Sequence, residues 1–294
     1  MDLLSIDSLS DDQIAAILDQ GQRWFEENRS TGSRCRTFEG GIVFNLFYEP
    51  STRTLMSFAT AAHRLGASVV TLPVDQSSVR KGETLDDTAR TLNAMRPDVL
   101  VIRHRDNGAT ERVAGIMDCP VINAGDGANE HPTQALLDAL TIRSHFGRVE
   151  EVKVAICGDI KHSRVAHSNM KLLPRLGAEV RLGGPERLMQ DDFEGMSVDE
   201  AISGADVVMM LRVQRERLEE EFGDAPGEYL QRYGLTAERL AAAAPGAVVM
   251  HPGPMNRGVE IDSAIADDPE RSLITRQVEN GVAIRMACLE LVVT

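Results

Sequence analysis

Short apolar runs recur at Ile42-Val43-Phe44, Ala67 to Leu72, Val99 to Arg103 and Val121 to Asn123, and again at Val152 to Ile156, Ala178 to Leu182, Asp206 to Leu211 and Ala247 to Met250. Between them lie stretches with helical spacing, such as Leu55, Phe58, Ala62 and Leu65, or Leu85, Ala89, Leu92 and Met95. Strands apolar on both faces, each followed by an amphipathic helix, belong to parallel sheets covered by helices. The chain is thereby confined to the α/β class, built of successive βαβ units. The rhythm breaks at Gly125 to Pro132, before a helix opens at Thr133, and 294 residues lie at the upper limit for one core. We therefore expect two doubly wound domains, each a mostly parallel sheet flanked by helices: residues 1–132 with a C-terminal helix at 277–294, and residues 133–276.

Composition narrows the function classes. The formal net charge of −14 argues against nucleic acid, because binding a phosphate backbone requires a basic face. A local cluster of Arg and Lys still suits a small anion within an acidic protein. No apolar stretch approaches the ~20 residues that span a bilayer. Met1 to Ser5 shows neither the basic nor the apolar region of a secretory signal, so a cytoplasmic protein is expected. Four widely spaced cysteines, Cys35, Cys119, Cys157 and Cys288, form no C-x-x-C half-site and read as reduced thiols. Gly158 lacks the further glycines of a dinucleotide fingerprint, a Walker pattern is missing, and the histidines have no zinc spacing. Neither a metal nor a cofactor is expected.

In open parallel sheets, ligands bind at the carboxyl ends of the strands. In the first half those ends carry Ser51-Thr52-Arg53-Thr54, then Ser77 and Lys81, then Arg103-His104, then His131 with Gln134. In the second half they carry Asp159 to Arg164, Arg212 with Gln214, and His251-Pro252-Gly253-Pro254. Taken singly, each has a plain structural reading: Arg103 as a solvated strand end, His131 as a cap before a Pro-started helix, Lys81 as a loop charge. Together they gather Arg, Lys, His and Gln along one edge of each sheet. Ser51 to Thr54 sits where a strand empties into a helix, so hydroxyls, a guanidinium and first-turn N–H groups converge as a cradle for a compact oxyanion.

Phe47-Tyr48-Glu49-Pro50-Ser51-Thr52-Arg53-Thr54 matches F-x-E-x-S-x-R-T, and His131-Pro132-Thr133-Gln134 matches H-P-x-Q. With Ser77, Lys81-Gly82-Glu83-Thr84, Arg212-Val213-Gln214 and the His-Pro-Gly-Pro segment in the same order, the chain resembles the aspartate and ornithine carbamoyltransferases almost end to end. The H-C-L-P segment of the ornithine type is replaced here by His-Pro-Gly-Pro, so the resemblance is to the aspartate type. Two carboxylates on aspartate also call for paired cations, which Arg164, Arg212 and Lys81 supply.

The resemblance implies transfer of the carbamoyl group of carbamoyl phosphate to L-aspartate, an early step of de novo pyrimidine (UMP) biosynthesis. It implies carbamoyl phosphate contacts from Ser51, Thr52, Arg53, Thr54, Arg103, His131, Gln134, Gly253 and Pro254, with Arg53, Thr54, Arg103 and His131 serving the chemistry. Lys81, Arg164, Arg212 and Gln214 are the implied aspartate ligands. Ser77 and Lys81 come, by resemblance, from a neighbouring subunit of a homotrimer. The family's trimers stand alone, bind a regulatory chain or associate with a dihydroorotase, and the sequence leaves all three open. One departure is Arg80, where some members have a second lysine. The alternatives are an ornithine or related carbamoyltransferase and a non-catalytic scaffolding homologue.

Overall fold

The structure, a computed structural model, describes residues 1–30, 36–72, 82–189, 195–213 and 226–293. The chain divides into two compact units, Met1–Leu140 with Val278–Thr294, and Thr141–Gln277. The first division falls eight residues beyond the expected 132/133 break, inside one continuous helix.

In the first unit, β1 (Ile42–Phe47), β2 (Ser68–Leu72), β3 (Val99–His104) and β4 (Val121–Asp126) form a parallel sheet in the order β2-β1-β3-β4. Among the described residues before the second unit, the helices of this unit are α1 (Asp11–Ser30), α2 (Thr52–Arg64), α3 (Leu85–Ala94), α4 (Ala109–Ala114) and most of α5 (Pro132–Phe146). Central strands β1 and β3 are almost wholly buried, as their largely apolar sequences demand, whereas edge strand β2 is largely exposed. Phe44, Leu46, Leu100 and Ile102 pack on one face against Ala89 and Leu92 of α3 and Val113 of α4. Gly66 ends α2 at φ 92°, a conformation open to glycine, and Ser10 with Gln13 forms the capping box that opens α1.

The second unit repeats the plan with β5 (Lys153–Cys157), β6 (Glu179–Gly183), β7 (Val207–Met210) and β8 (Val248–Met250) in the order β6-β5-β7-β8, again parallel. Among the described residues its helices are α6 (Arg164–Arg175), α7 (Val198–Ile202), α8 (Pro226–Tyr233), α9 (Ala237–Ala241) and α10 (Ser263–Ala266), with a 3₁₀ turn at Glu186–Leu188. The expectation of two parallel, doubly wound sheets is met. What the sequence reading does not find are α7 to α10, which at four to eight residues are too short to show a helical period.

The last helix, α11 (Ile274–Val293), is counted with the first unit from Val278 onward. Its Glu290 accepts from Trp24 Nε1–H of α1 at 2.7 Å, from Gln20 at 3.0 Å and from the Thr37 hydroxyl at 2.7 Å. Gly21 makes the close approach possible, since a Cβ there would stand 2.7 Å from Ile284. Among the described residues no helix is long and apolar enough to cross a membrane.

Each strand order reverses once. In the first sheet the reversal lies between β1 and β3, in the second between β5 and β7. The carboxyl ends at such switch points are where open α/β sheets bind ligands.

Candidate active site

At the first switch point, β1 and β3 run in register with Phe47 opposite Arg103, and Tyr48 N–H donates to Arg103 O at 2.9 Å. The chain then turns through Pro50 into α2. Ser51 is its N-cap residue, yet the Ser51 hydroxyl makes no capping bond. Elsewhere the rule is obeyed: Thr84, Ser163, Ser197 and Thr236 each accept from the N–H three residues on. The first turn of α2 carries no acidic residue either, whereas α3, α7 and α9 have Asp or Glu there. The start of α2 therefore has neither a Ser51 side-chain cap nor an acidic residue in its own first turn, beside an exposed Arg53 and a buried Thr54.

Arg103 ends β3. Its Nε donates to Glu49 Oε2 at 3.1 Å and its Nη1 to Ala124 O at 3.4 Å, which fixes the plane of the guanidinium. Next to it His104 is buried, with its ring 4.6 Å from Tyr48 and its Nδ1 accepting from Asp106 N–H at 3.0 Å. Burial holds this imidazole below its ordinary pKa, with the charge of Asp106 opposing. His104 is thus a neutral packing group.

The loop from β4 to α5 delivers His131 and Gln134. Asp126 Oδ2 accepts from Gly108 N–H and from the Asn129 amide, at 3.0 and 2.9 Å, and Glu130 Oε2 accepts from Ile6 N–H at 2.9 Å. Gly127, at φ 50°, lies against Asn107, where a Cβ would collide with the side-chain oxygen. Pro132 then starts α5 in the position where a missing N–H costs nothing, and His131 O accepts from Gln134 N–H at 2.9 Å. His131 and Gln134 are both buried, and the Gln134 amide donates to Asp138 Oδ1 at 3.0 Å.

In the second unit, the end of β5 leads through Gly158, at φ 127° and packed on Leu211, to Asp159 and the start of α6. Asp159 Oδ1 accepts from His162 N–H at 3.2 Å and lies 2.9 Å from His162 Nδ1, while Ser163 caps the helix that Arg164 begins. Arg212 follows β7 and is exposed. Beside it, Val213 O accepts from the Asn256 side-chain amide at 2.8 Å. Asn256 N–H donates to Glu260, which also lies 3.2 Å from His251 Nε2. His251 Nδ1 accepts from Gly253 N–H at 2.8 Å, so in the neutral ring Nε2 carries the proton and donates to Glu260. These bonds tie the His-Pro-Gly-Pro turn, with Gly253 at φ 64°, to the strand end that carries Arg212.

The structure thus brings Ser51, Thr52, Arg53, Thr54, Arg103, His131 and Gln134 to the carboxyl edge of one sheet, and Arg164, Arg212, Gly253 and Pro254 to that of the other. Ser77, Lys81 and Gln214 lie outside the described residues, as does Arg80. Sequence reasoning missed Asp126, Glu130, Asp138, Asn256 and Glu260, which hold the site residues in place. Their only signal in the sequence is a carboxylate or amide within a few positions of a motif, which is too common to stand out.

Known proteins match the chain over both of its halves. Residues 1–144 match the family model described as aspartate/ornithine carbamoyltransferase, carbamoyl-P binding domain, and residues 150–292 match the corresponding Asp/Orn binding domain. The aspartate carbamoyltransferase catalytic subunit of Rhizorhabdus wittichii is 55% identical over 98% of this chain and 93% of its own. Among solved structures, aspartate transcarbamoylase from Trypanosoma cruzi in complex with carbamoyl phosphate superposes with a TM-score of 0.90 at 35% identity, covering 99% of this chain and 95% of that one. The catalytic subunit of M. jannaschii aspartate transcarbamoylase gives 0.84 at 35% identity, over 99% and 97%. With both halves matched in order by the two domain models of one family, the chain belongs to the aspartate/ornithine carbamoyltransferase family.

Proposed function

We propose that this protein is an aspartate carbamoyltransferase: it transfers the carbamoyl group of carbamoyl phosphate to the amino group of L-aspartate, giving N-carbamoyl-L-aspartate and phosphate. The observation that carries the reading is the start of α2, which has no Ser51 side-chain cap and no acidic residue in its first turn, with Arg53 in that turn and Arg103 on the adjoining strand. In this reading Ser51, Thr52, Arg53 and Thr54 hold the phosphate, with Arg103, through charge-assisted hydrogen bonds of about 1.5–3 kcal/mol each. The first unit takes carbamoyl phosphate and the second takes aspartate.

The chemistry needs no protein nucleophile. The aspartate amine attacks the carbamoyl carbon, the carbonyl oxygen gathers negative charge, and the C–O bond to phosphate breaks. Thr54, Arg103 and His131 donate to that oxygen, stabilising it more in the transition state than in the substrate. Gln134, with main-chain carbonyls around Gly253 and Pro254, accepts from the carbamoyl NH₂. The departing phosphate takes the proton that the amine loses, so His131 polarises the carbonyl and is not required as the base.

Arg164 and Arg212 receive the aspartate carboxylates, with Lys81 and Gln214 in the same role. We further infer a homotrimer in which Ser77 and Lys81 act across a subunit boundary. Support comes from the exposed apolar residues Val70 on edge strand β2 and Met56 on α2, 50% and 58% accessible, where a soluble monomer would favour polar ones. A cytoplasmic location and the step in pyrimidine synthesis belong to the same reading. The decisive assay supplies carbamoyl phosphate with either aspartate or ornithine: carbamoyl aspartate is the expected product, and turnover of ornithine in its place overturns the assignment.

A further inference from the structure

Behind Gln134 lies a buried charge system that the reaction itself does not use. Asp138 stands one turn further along α5, fully buried, and accepts from the Gln134 amide at 3.0 Å. Arg285 of α11, 3% exposed, interacts electrostatically with Asp138. Its guanidinium lies 5.0 Å over the ring of Phe58 and donates from Nη1 to the Ser57 hydroxyl at 2.7 Å, both residues of α2. Burial pulls this arginine down to about 10, which leaves it charged at neutral pH. The Gln134 atom that meets Asp138 is its NH₂ group, donating to a carboxyl oxygen. The amide oxygen of Gln134 is accordingly turned away from Asp138. Without that constraint the two ends of an amide are nearly equal in shape, and the side chain is free to flip.

We propose that Asp138, backed by Arg285, is a positioning residue that determines acyl-phosphate specificity: by holding the Gln134 NH₂ it presents the Gln134 oxygen to the ligand, and so selects an acyl phosphate bearing an NH₂ group. The inference rests on the reading that Gln134 faces the carbamoyl group. Acetyl phosphate is the discriminating probe, since it has the same shape with a methyl group in place of NH₂. A methyl cannot donate, and a site built to hydrogen-bond a ligand N–H rejects the analogue that lacks it.

The test is calorimetric titration of the intact protein with carbamoyl phosphate, acetyl phosphate and inorganic phosphate. The wild type is expected to bind carbamoyl phosphate at least about tenfold more tightly than acetyl phosphate. In Asp138→Asn, whose amide both donates and accepts, the ratio should fall to within about threefold. Inorganic phosphate, held by the α2 start, should bind as before, whereas general damage to the fold would weaken all three ligands. If the single variant does not fold because Arg285 is left buried without its counter-charge, Asp138→Asn with Arg285→Met removes both charges together and reads the same ratio. A preference that survives in these variants overturns the role of Asp138. A wild type with no preference for carbamoyl phosphate over inorganic phosphate overturns the reading of the site instead.

Discussion

Arg53 is exposed in the first turn of a helix whose N-terminus has no competing cap, so its removal should cost chemistry and leave the core untouched. Arg53→Ala is expected to lower kcat/KM by about 10³-fold or more, the loss of two charge-assisted bonds, with an unchanged unfolding midpoint. Near-normal turnover would remove Arg53 from the phosphate cradle. Arg212→Ala should raise the KM for aspartate about 10–100-fold and leave the KM for carbamoyl phosphate alone, as steady-state kinetics with each substrate varied will show. The thiols behave oppositely, as packing groups. Burial pushes Cys157 and Cys288 up to about 12 and Cys119 up to about 11, so none is a thiolate near neutrality. With Cys35→Ser as background, a thiol reagent at pH 8 should label native Cys157 and Cys288 only slowly and the denatured protein at three positions; fast native labelling of those two would contradict their burial.

At the scale of elements, the motifs were legible and their supports were not. F-x-E-x-S-x-R-T reads directly as a strand ending in a helix start, because a run of buried apolar residues followed by Ser-Thr leaves few other conformations. H-P-x-Q reads as a Pro-started helix for a similar reason. The hydrogen bonds that hold the site segments join residues far apart in sequence: Glu130, before H-P-x-Q, holds Ile6, and Asn256, after the His-Pro-Gly-Pro turn, holds Val213. No local pattern encodes such pairs. Glu260 illustrates what they do, since it accepts from both His251 and Asn256 inside the second unit. Glu260→Ala strands the buried His251 donor and the half-buried Asn256 N–H and should destabilise the protein by about 2–4 kcal/mol in urea unfolding, with Glu260→Gln, which keeps an acceptor, recovering most of the loss. Equal loss in both variants would mean that packing, not the hydrogen bonds, is what Glu260 provides. Short helices α7 to α10 were missed for a different reason, namely that one or two turns hold too few residues to display a period.

For the molecule as a whole, the proposed assembly makes a prediction that no single subunit can satisfy. If Lys81 acts across a subunit boundary, Lys81→Ala chains and Arg53→Ala chains, each inactive alone, should regain part of the wild-type activity when dissociated and reassembled together. Mixed assemblies with no activity would place both residues in one subunit's own site. By itself the sequence determined the fold class, two parallel sheets with helices on their faces, and the residue types at the strand ends, because alternating apolar runs and helical periods are local and additive. It also determined the chemistry those ends invite, since Ser-Thr-Arg-Thr at a helix start offers donors to an oxyanion. Only the tertiary structure decided that Ser51 leaves its helix uncapped, that the strand carrying Arg103 lies beside the one feeding α2, and that Asp138 and Arg285 stand behind Gln134. Those facts depend on which segments pack together once the core forms, and sequence spacing does not carry that information. The cradle read from eight residues is thus one edge of a larger arrangement whose precision comes from buried charges and amides distant in the chain.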